Sequence, residues 1–298
     1  METIAPNVES SQTDFRGHGG HRLRLETFGA ASTPSDPWLL FTHGFGQNRL
    51  SWRAAAEQLA AQGWQGITMD GRGHGDSDWH PEAQYELDDF CADLKQVAAH
   101  RAQKPVLIGA SMGGLLGLLA EGEHPGRFAA LVLVDVTPRW ESAGVARILD
   151  FMQAHPEGFV DLMQAQAAIH AYLPHRENKD PERLRGALRV GADGRYRWHW
   201  DPRLLSHINQ ASERYIPRLL AAAAKVQIPT LLLSGSRSDV VSQRTIEEFR
   251  SLVPHAEHVE IAEATHLVVG DRNDAFVAAI LNFLERLFVN RTIPEQTV

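Results

Sequence analysis

Four short apolar runs, at residues 39–42, 106–109, 131–136 and 230–234, restrict the fold more than any other feature of the chain. Each is four to six residues long and is bounded by turn or helix-start residues. A strand with one wet face alternates polar and apolar side chains. Unbroken apolar runs of this length suit parallel strands covered on both faces. Helical segments at 52–62, 87–100 and 112–123 lie between the runs, and strand alternating with helix predicts a mostly parallel, doubly wound α/β sheet. Residues 66–70 and 258–263 supply further strands. At 15–28, Gly17, Gly19 and Gly20 sit between alternating polar and apolar residues, which predicts an N-terminal antiparallel hairpin.

The alternation breaks at residues 137–225, where the sequence is irregular and rich in Arg, His and Trp. So long a stretch is no loop. Short helices are predicted at 145–154, 159–169, 181–188 and 202–220, with a strongly aromatic segment, RYRWHWD, at 195–201. The expected organisation is therefore a core made of 1–136 and 226–298, interrupted by a helical cap at 137–225. The polar end at 290–298 is expected to fray.

Of 298 residues, 37 are acidic and 29 basic, a formal charge of −8 that argues against nucleic acid or an anionic membrane as partner. No apolar stretch reaches the roughly 18 residues of a membrane-spanning helix, and the polar N-terminus lacks the apolar centre of a secretory signal. The single cysteine, Cys91, leaves no intramolecular disulfide and fits a reducing compartment, so a cytoplasmic location is expected. Cys91 lies on a helical stripe with Tyr85, Leu87, Phe90, Leu94 and Val97, which reads as a buried thiol and not a nucleophile. The expected partner is a small-molecule substrate; the oligomeric state stays open.

The chemical signal is PVLIGASMGG at 105–114, which contains Gly109-Ala110-Ser111-Met112-Gly113. The pattern G-x-S-x-G is weak alone, but here it joins an apolar strand to a helical run, the setting of a nucleophile elbow. Glycines on either side of such a serine let backbone approach where a Cβ would clash. The start of the helix also presents free N–H groups to developing negative charge.

From these residues outward the chain resembles the α/β-hydrolase family, over positions 15–288 apart from the cap. Phe41-Thr42-His43-Gly44-Phe45-Gly46 is similar to the family's His-Gly loop, and Met69-Asp70-Gly71-Arg72-Gly73-His74-Gly75-Asp76-Ser77 to its D-x-R-G-x-G-x-S turn. The resemblance implies an oxyanion hole made by the N–H groups of Phe45 and Met112, with His43, Asp70, Arg72 and His74 shaping the nearby loops. It implies His266 as the base, after the last strand and before the final helix, with Thr265 where the family usually has glycine. It also implies Asp239, after the strand TLLLSG, as the acid, giving the chain order Ser111, Asp239, His266. Asp135, at the end of LVLVD, is the rival, because some relatives place the acid on the preceding strand. Asp271 and Asp274 are expected to brace the turn or cap the last helix.

A serine at the elbow argues against epoxide or halide chemistry, which uses aspartate there. It fits acyl transfer on a small ester, thioester or lactone. No zinc spacing, calcium loop, phosphate cradle or dinucleotide fingerprint is visible, so neither cofactor nor metal is expected. Trp140 and Trp198 are the candidate pocket residues among the cap aromatics. Carbon–carbon bond hydrolysis, a cofactor-free dioxygenase and a non-catalytic small-ligand receptor are alternatives on the same scaffold.

Overall fold

The chain begins with two antiparallel strands, β1 (Ser10–Arg16) and β2 (Arg22–Phe28), in which Phe15 lies opposite Leu23. A computed structural model describes residues 10–29, 37–175 and 180–288, with the side chains of 206–213 outside the description. The terminal segments read above as lacking a signal and as fraying fall wholly or mostly outside these residues.

Next come β3 (Leu39–Thr42), α1 (Arg53–Ala61), β4 (Gly66–Met69), α2 (Leu87–Ala98), β5 (Val106–Ala110), α3 (Met112–Glu123) and β6 (Ala130–Val134). An insertion follows, with α4 (Ser142–Gln153), α5 (Leu162–Tyr172), the short strands β7 (Leu188–Val190) and β8 (Tyr196–Trp198), and α6 (Leu204–Ala223). The chain then completes the sheet with β9 (Thr230–Gly235), α7 (Gln243–Leu252) and β10 (Glu257–Ile261), and ends in α8 (Val268–Asp271) and α9 (Asn273–Leu287). The main sheet runs β1-β2-β4-β3-β5-β6-β9-β10, parallel from β4 to β10. Among the described residues no helix is long and apolar enough to cross a membrane.

The central strands are apolar throughout because each face meets its own core. In β5, Val106 and Ile108 pack with Leu39 and Phe41 against Leu59 of α1 and Phe276, Ile280 and Phe283 of α9. Leu107 points the other way, toward the cluster holding Leu94 of α2 and Leu116 and Leu119 of α3. This alternation along a continuous apolar run is what two-sided coverage requires. Cys91 belongs to that second core: its thiol is buried, donates to the Leu116 carbonyl at 3.7 Å, and is pushed up to about 12 by burial. It is no nucleophile in this state.

The insertion departs from the helical expectation. The aromatic segment at 195–201 contains β8, paired antiparallel with β7, so Leu188 faces Trp198. Residues Pro181–Ala187 form a tight 3-10 turn and not an α-helix. The sequence signal for this hairpin is Asp193-Gly194, with Gly194 at φ 77°, a turn dipeptide that favours antiparallel strands.

Strand order reverses at β3, whose two neighbours are β4 and β5. In open α/β sheets the crevice for ligands opens at the carboxyl ends of the strands around such a reversal. The loops leaving β3, β5, β6, β9 and β10 all emerge at that edge.

Candidate active site

At the end of β5 the chain turns sharply at Ser111, with φ 47° and ψ −119°, before α3 begins at Met112. The neighbouring glycines are required by close approach. A Cβ on Gly109 would lie 2.5 Å from the Gly114 nitrogen, and one on Gly113 would lie 2.4 Å from the Thr42 carbonyl oxygen. The turn is pinned by backbone bonds: Ser111 N–H donates to Val134 O at 3.0 Å, and Ser111 O accepts from Gly114 and Leu115. A non-glycine residue at positive φ is held there by its surroundings at some cost.

The loop after β3 comes against the same serine. A Cβ on Gly44 would sit 3.2 Å from Ser111 Cβ. Neither the Phe45 nor the Met112 amide has an acceptor among the described residues outside regular helix and strand bonding. The loop is braced from behind by buried histidines. His43 Nε2 accepts from Gly71 N–H at 2.9 Å, which leaves Nδ1 to donate to Gly44 O at 2.8 Å. His74 Nε2 accepts from Gly46 N–H at 3.2 Å and its Nδ1 donates to Arg72 O at 3.0 Å. His199, from the insertion, accepts Gly75 N–H on Nδ1 at 2.8 Å. Burial pulls all three below the ordinary histidine range, His199 to about 3. They are neutral props. Asp70 and Arg72 are structural in the same way. Asp70 accepts from Arg49 and from the Asp76 amide, and Arg72 clasps Asp93 at 2.6 and 2.9 Å.

His266 follows β10, and its Nδ1 donates to Asp135 Oδ2 at 2.8 Å. Asp135 is fully buried just beyond β6. Its other oxygen accepts Gly235 N–H at 2.8 Å, and Ser238 Oγ donates to Oδ2 at 2.5 Å. A carboxylate that accepts from three donors fixes the imidazole so that Nε2 is the nitrogen turned away from it. Thr265 holds this loop from the other side, donating through N–H and Oγ1 to Asp271 Oδ2 at 2.9 and 2.5 Å. Asp271 thus braces the turn, as expected. Asp274 accepts from Gln58 at 2.9 Å.

The structure does not bring the expected acid, Asp239, to His266; Asp135 stands there instead. Asp239 Oδ2 meets Arg147 of α4, with Nε at 2.7 Å and Nη2 at 2.6 Å, and the pair is part-exposed. The cause lies in the loop after β9. Ser238 Oγ accepts the N–H groups of Val240 and Val241, a tight turn that directs Ser238 to Asp135 and Asp239 outward to the insertion. There Gly144 of α4 packs so closely on the Asp239 carbonyl that a Cβ would fall 2.1 Å from it, and Glu141 N–H donates to Val240 O at 2.9 Å.

Among the described residues, two cavities open at Ser111. The larger, about 360 Å³, is walled by the loop after β3, α4, α5, Trp198, His199, Trp200 and His266. The smaller, about 150 Å³, lies between α3, α4 and α6 and includes Trp140. Ser111, Phe45 and Ile148 belong to both. The larger has an aromatic wall, with Trp198 stacked on Trp200 at 5.1 Å and Phe151 on Tyr172 at 4.3 Å.

The sequence profile described as the alpha/beta hydrolase fold matches residues 37–272. The chain belongs to the α/β-hydrolase family. This α/β-hydrolase is 26% identical over 265 residues to the sn-1-specific diacylglycerol lipase ABHD11 of Mus musculus, covering 83% of this chain and 81% of that protein. It is 25% identical over 265 residues to Esterase Rv0045c of Mycobacterium tuberculosis, covering 84% of each. The crystal structure of E-2-(acetamidomethylene)succinate hydrolase superposes with a TM-score of 0.78 over 94% of this chain and all of that one, at 24% identity.

Within this α/β-hydrolase the fold brings Ser111 and His266 to one cavity and places Phe45 and Met112 beside Ser111. Trp140 and Trp198 are brought to different cavities. Sequence reasoning missed Ser238, which helps hold Asp135, and His199, which props the glycine turn at 73–75 from the insertion. Ser238 could have been found as the side chain of a serine-rich turn able to cap its own loop. No pattern marks His199.

Proposed function

We propose that this α/β-hydrolase is a serine hydrolase that cleaves a small ester, thioester or lactone through an acyl-enzyme on Ser111. The observation that carries this reading is the bond from His266 Nδ1 to the buried, three-donor carboxylate of Asp135, which leaves Nε2 as the acceptor in the cavity that Ser111 also lines. In the proposed reaction Nε2 takes the Ser111 Oγ proton while Oγ bonds to the carbonyl carbon. The oxyanion forms where the Phe45 and Met112 amides donate, each such donor being worth about 2.7–4 kcal/mol in the transition state. The tetrahedral centre collapses, the bond to the leaving atom breaks, and the imidazolium gives its proton to that atom. Water, activated by the same nitrogen, then releases the acid.

The lipase and esterase names of the relatives support ester hydrolysis as the class of reaction. Residues 137–225 are read as a cap on a core of 1–136 and 226–298, because both cavities are closed on one side by insertion residues. A small substrate follows from cavities of this size. The test is mass spectrometry after treatment with a small fluorophosphonate, followed by turnover of p-nitrophenyl esters, thioesters and lactones. A single adduct on Ser111 with saturable ester turnover is expected. An unlabelled Ser111 in folded protein, or turnover unchanged in Ser111→Ala, overturns the reading.

A further inference from the structure

The two cavities at Ser111 differ in one chemically decisive respect: His266 walls the larger and is absent from the lining of the smaller. In acyl transfer the imidazole that takes the serine proton must return it to the leaving atom. The leaving group therefore has to lie on the side of His266, in the larger cavity. The acyl carbon remains bonded to Oγ, and its substituent needs a different space. On the reading of Ser111 as nucleophile, we propose that the smaller cavity is the acyl-chain site and that it takes an unbranched aliphatic acyl group.

The walls fit that occupant. Leu115 of α3, Val136, Trp140, Val145 and Leu149 of α4, and Leu219 of α6 give an apolar surface. The charges at its edge satisfy each other: Tyr215 Oη donates to Glu86 at 2.9 Å, and Arg214 lies 3.3 Å from the same carboxylate. A carboxylate or phosphate on the chain would have to displace that arrangement, whereas a hydrocarbon tail leaves it intact. The volume sets length. An apolar cavity of about 150 Å³ holds a six-carbon ring, so the preferred chain is about six carbons. The larger cavity, with His199 and Gln47 in its lining, is left for the alcohol or thiol portion.

The experiment uses full-length protein and measures kcat/KM for p-nitrophenyl acetate, butyrate, hexanoate, octanoate and decanoate. Wild type is expected to peak near hexanoate. Val145→Trp, on a part-exposed helix position, fills the smaller cavity and should lower the hexanoate-to-acetate ratio by about thirtyfold or more, since one methylene in an apolar pocket is worth about tenfold. Ile169→Trp, which narrows the larger cavity, should leave the acyl optimum near hexanoate and instead penalise naphthyl relative to methyl hexanoate. Val145→Leu provides a graded version should the tryptophan variant fail to fold. Acyl profiles parallel to wild type in the folded Val145 variants, or an optimum displaced by Ile169→Trp, overturn the acyl-site assignment. Those outcomes leave the nucleophile standing if Ser111 is still labelled by diethyl fluorophosphate. Absence of that adduct in wild type overturns the nucleophile, and this assignment with it.

Discussion

His266 and Asp135 are joined by a 2.8 Å hydrogen bond that connects the loop after β10 to the end of β6, across the intervening strand β9. The bond joins His266 to one of two aspartates that the chain offers at equivalent strand ends, and under the proposed mechanism it makes Asp135 the acid. Asp135→Asn should lower turnover by about 10⁴, because the amide cannot hold the required tautomer. Asp239→Asn should stay within tenfold of wild type and change stability by under about 1 kcal/mol, the range for a part-exposed ion pair. Purified variants assayed on one ester at saturating concentration distinguish the two. The opposite ranking returns the acid to Asp239.

Strain at the elbow makes a second forecast. Ser111 holds φ 47° and ψ −119°, a conformation that glycine adopts freely. Ser111→Gly should abolish turnover yet raise unfolding stability by about 1 kcal/mol, the relief of strain exceeding glycine's extra chain entropy. Ser111→Ala keeps the Cβ, so it should lose turnover at unchanged stability. Urea unfolding of the three proteins measures this, and a less stable glycine variant counts against a strained turn.

Acid should destabilise the protein through its neutral histidine props. An unfolded histidine binds its proton near pH 6.5, whereas burial holds His199 to about 3 in the fold. Between these values the unfolded state carries more protons, so stability is intact above pH 6.5 and falls as pH drops. The slope is about 1.4 kcal/mol per pH unit for each such group. His43 and His74 act in the same direction. His199→Asn, which keeps an acceptor for Gly75 N–H, should flatten the curve of stability against pH between 6.5 and 4.5. Curves parallel to wild type would show that His199 is not held neutral.

Trp198 forms part of the aromatic wall of the larger cavity and stacks on Trp200. Trp198→Ala should change selectivity among leaving groups by about tenfold or more, the effect of removing apolar contact area, while a small fluorophosphonate still labels Ser111. Loss of labelling in a folded variant would place a chemical role within the insertion.

The sheet was legible because its signal is local. Unbroken apolar runs such as Leu39–Thr42 carry two-sided burial in their composition, and Gly109 and Gly113 flank a serine whose neighbours leave no room for a Cβ. Which aspartate meets His266 was not legible because both satisfy the same local description. What separates them is a turn in which the Val240 and Val241 amides both donate to Ser238 Oγ, a detail of loop geometry with no composition signature. Strand β8 was missed for a related reason. Its aromatics suit a helix face or a strand equally well, and only the Asp193-Gly194 turn argues for pairing.

The displaced aspartate has a consequence for anyone recombining this protein with a relative. Asp239 clamps Arg147, its carbonyl receives Gly144, and Val240 receives the Glu141 amide, while Asp135 stands at the doorway of the same insertion. A chimera that imports a foreign insertion with crossovers just after Asp135 and before β9 would keep the acid and lose its neighbours on the Asp239 side. The crossover that preserves both must carry the loop after β9 along with α4. The insertion and the loop after β9 thus form a two-segment unit, and exchanging either segment alone would undo the contacts that join them.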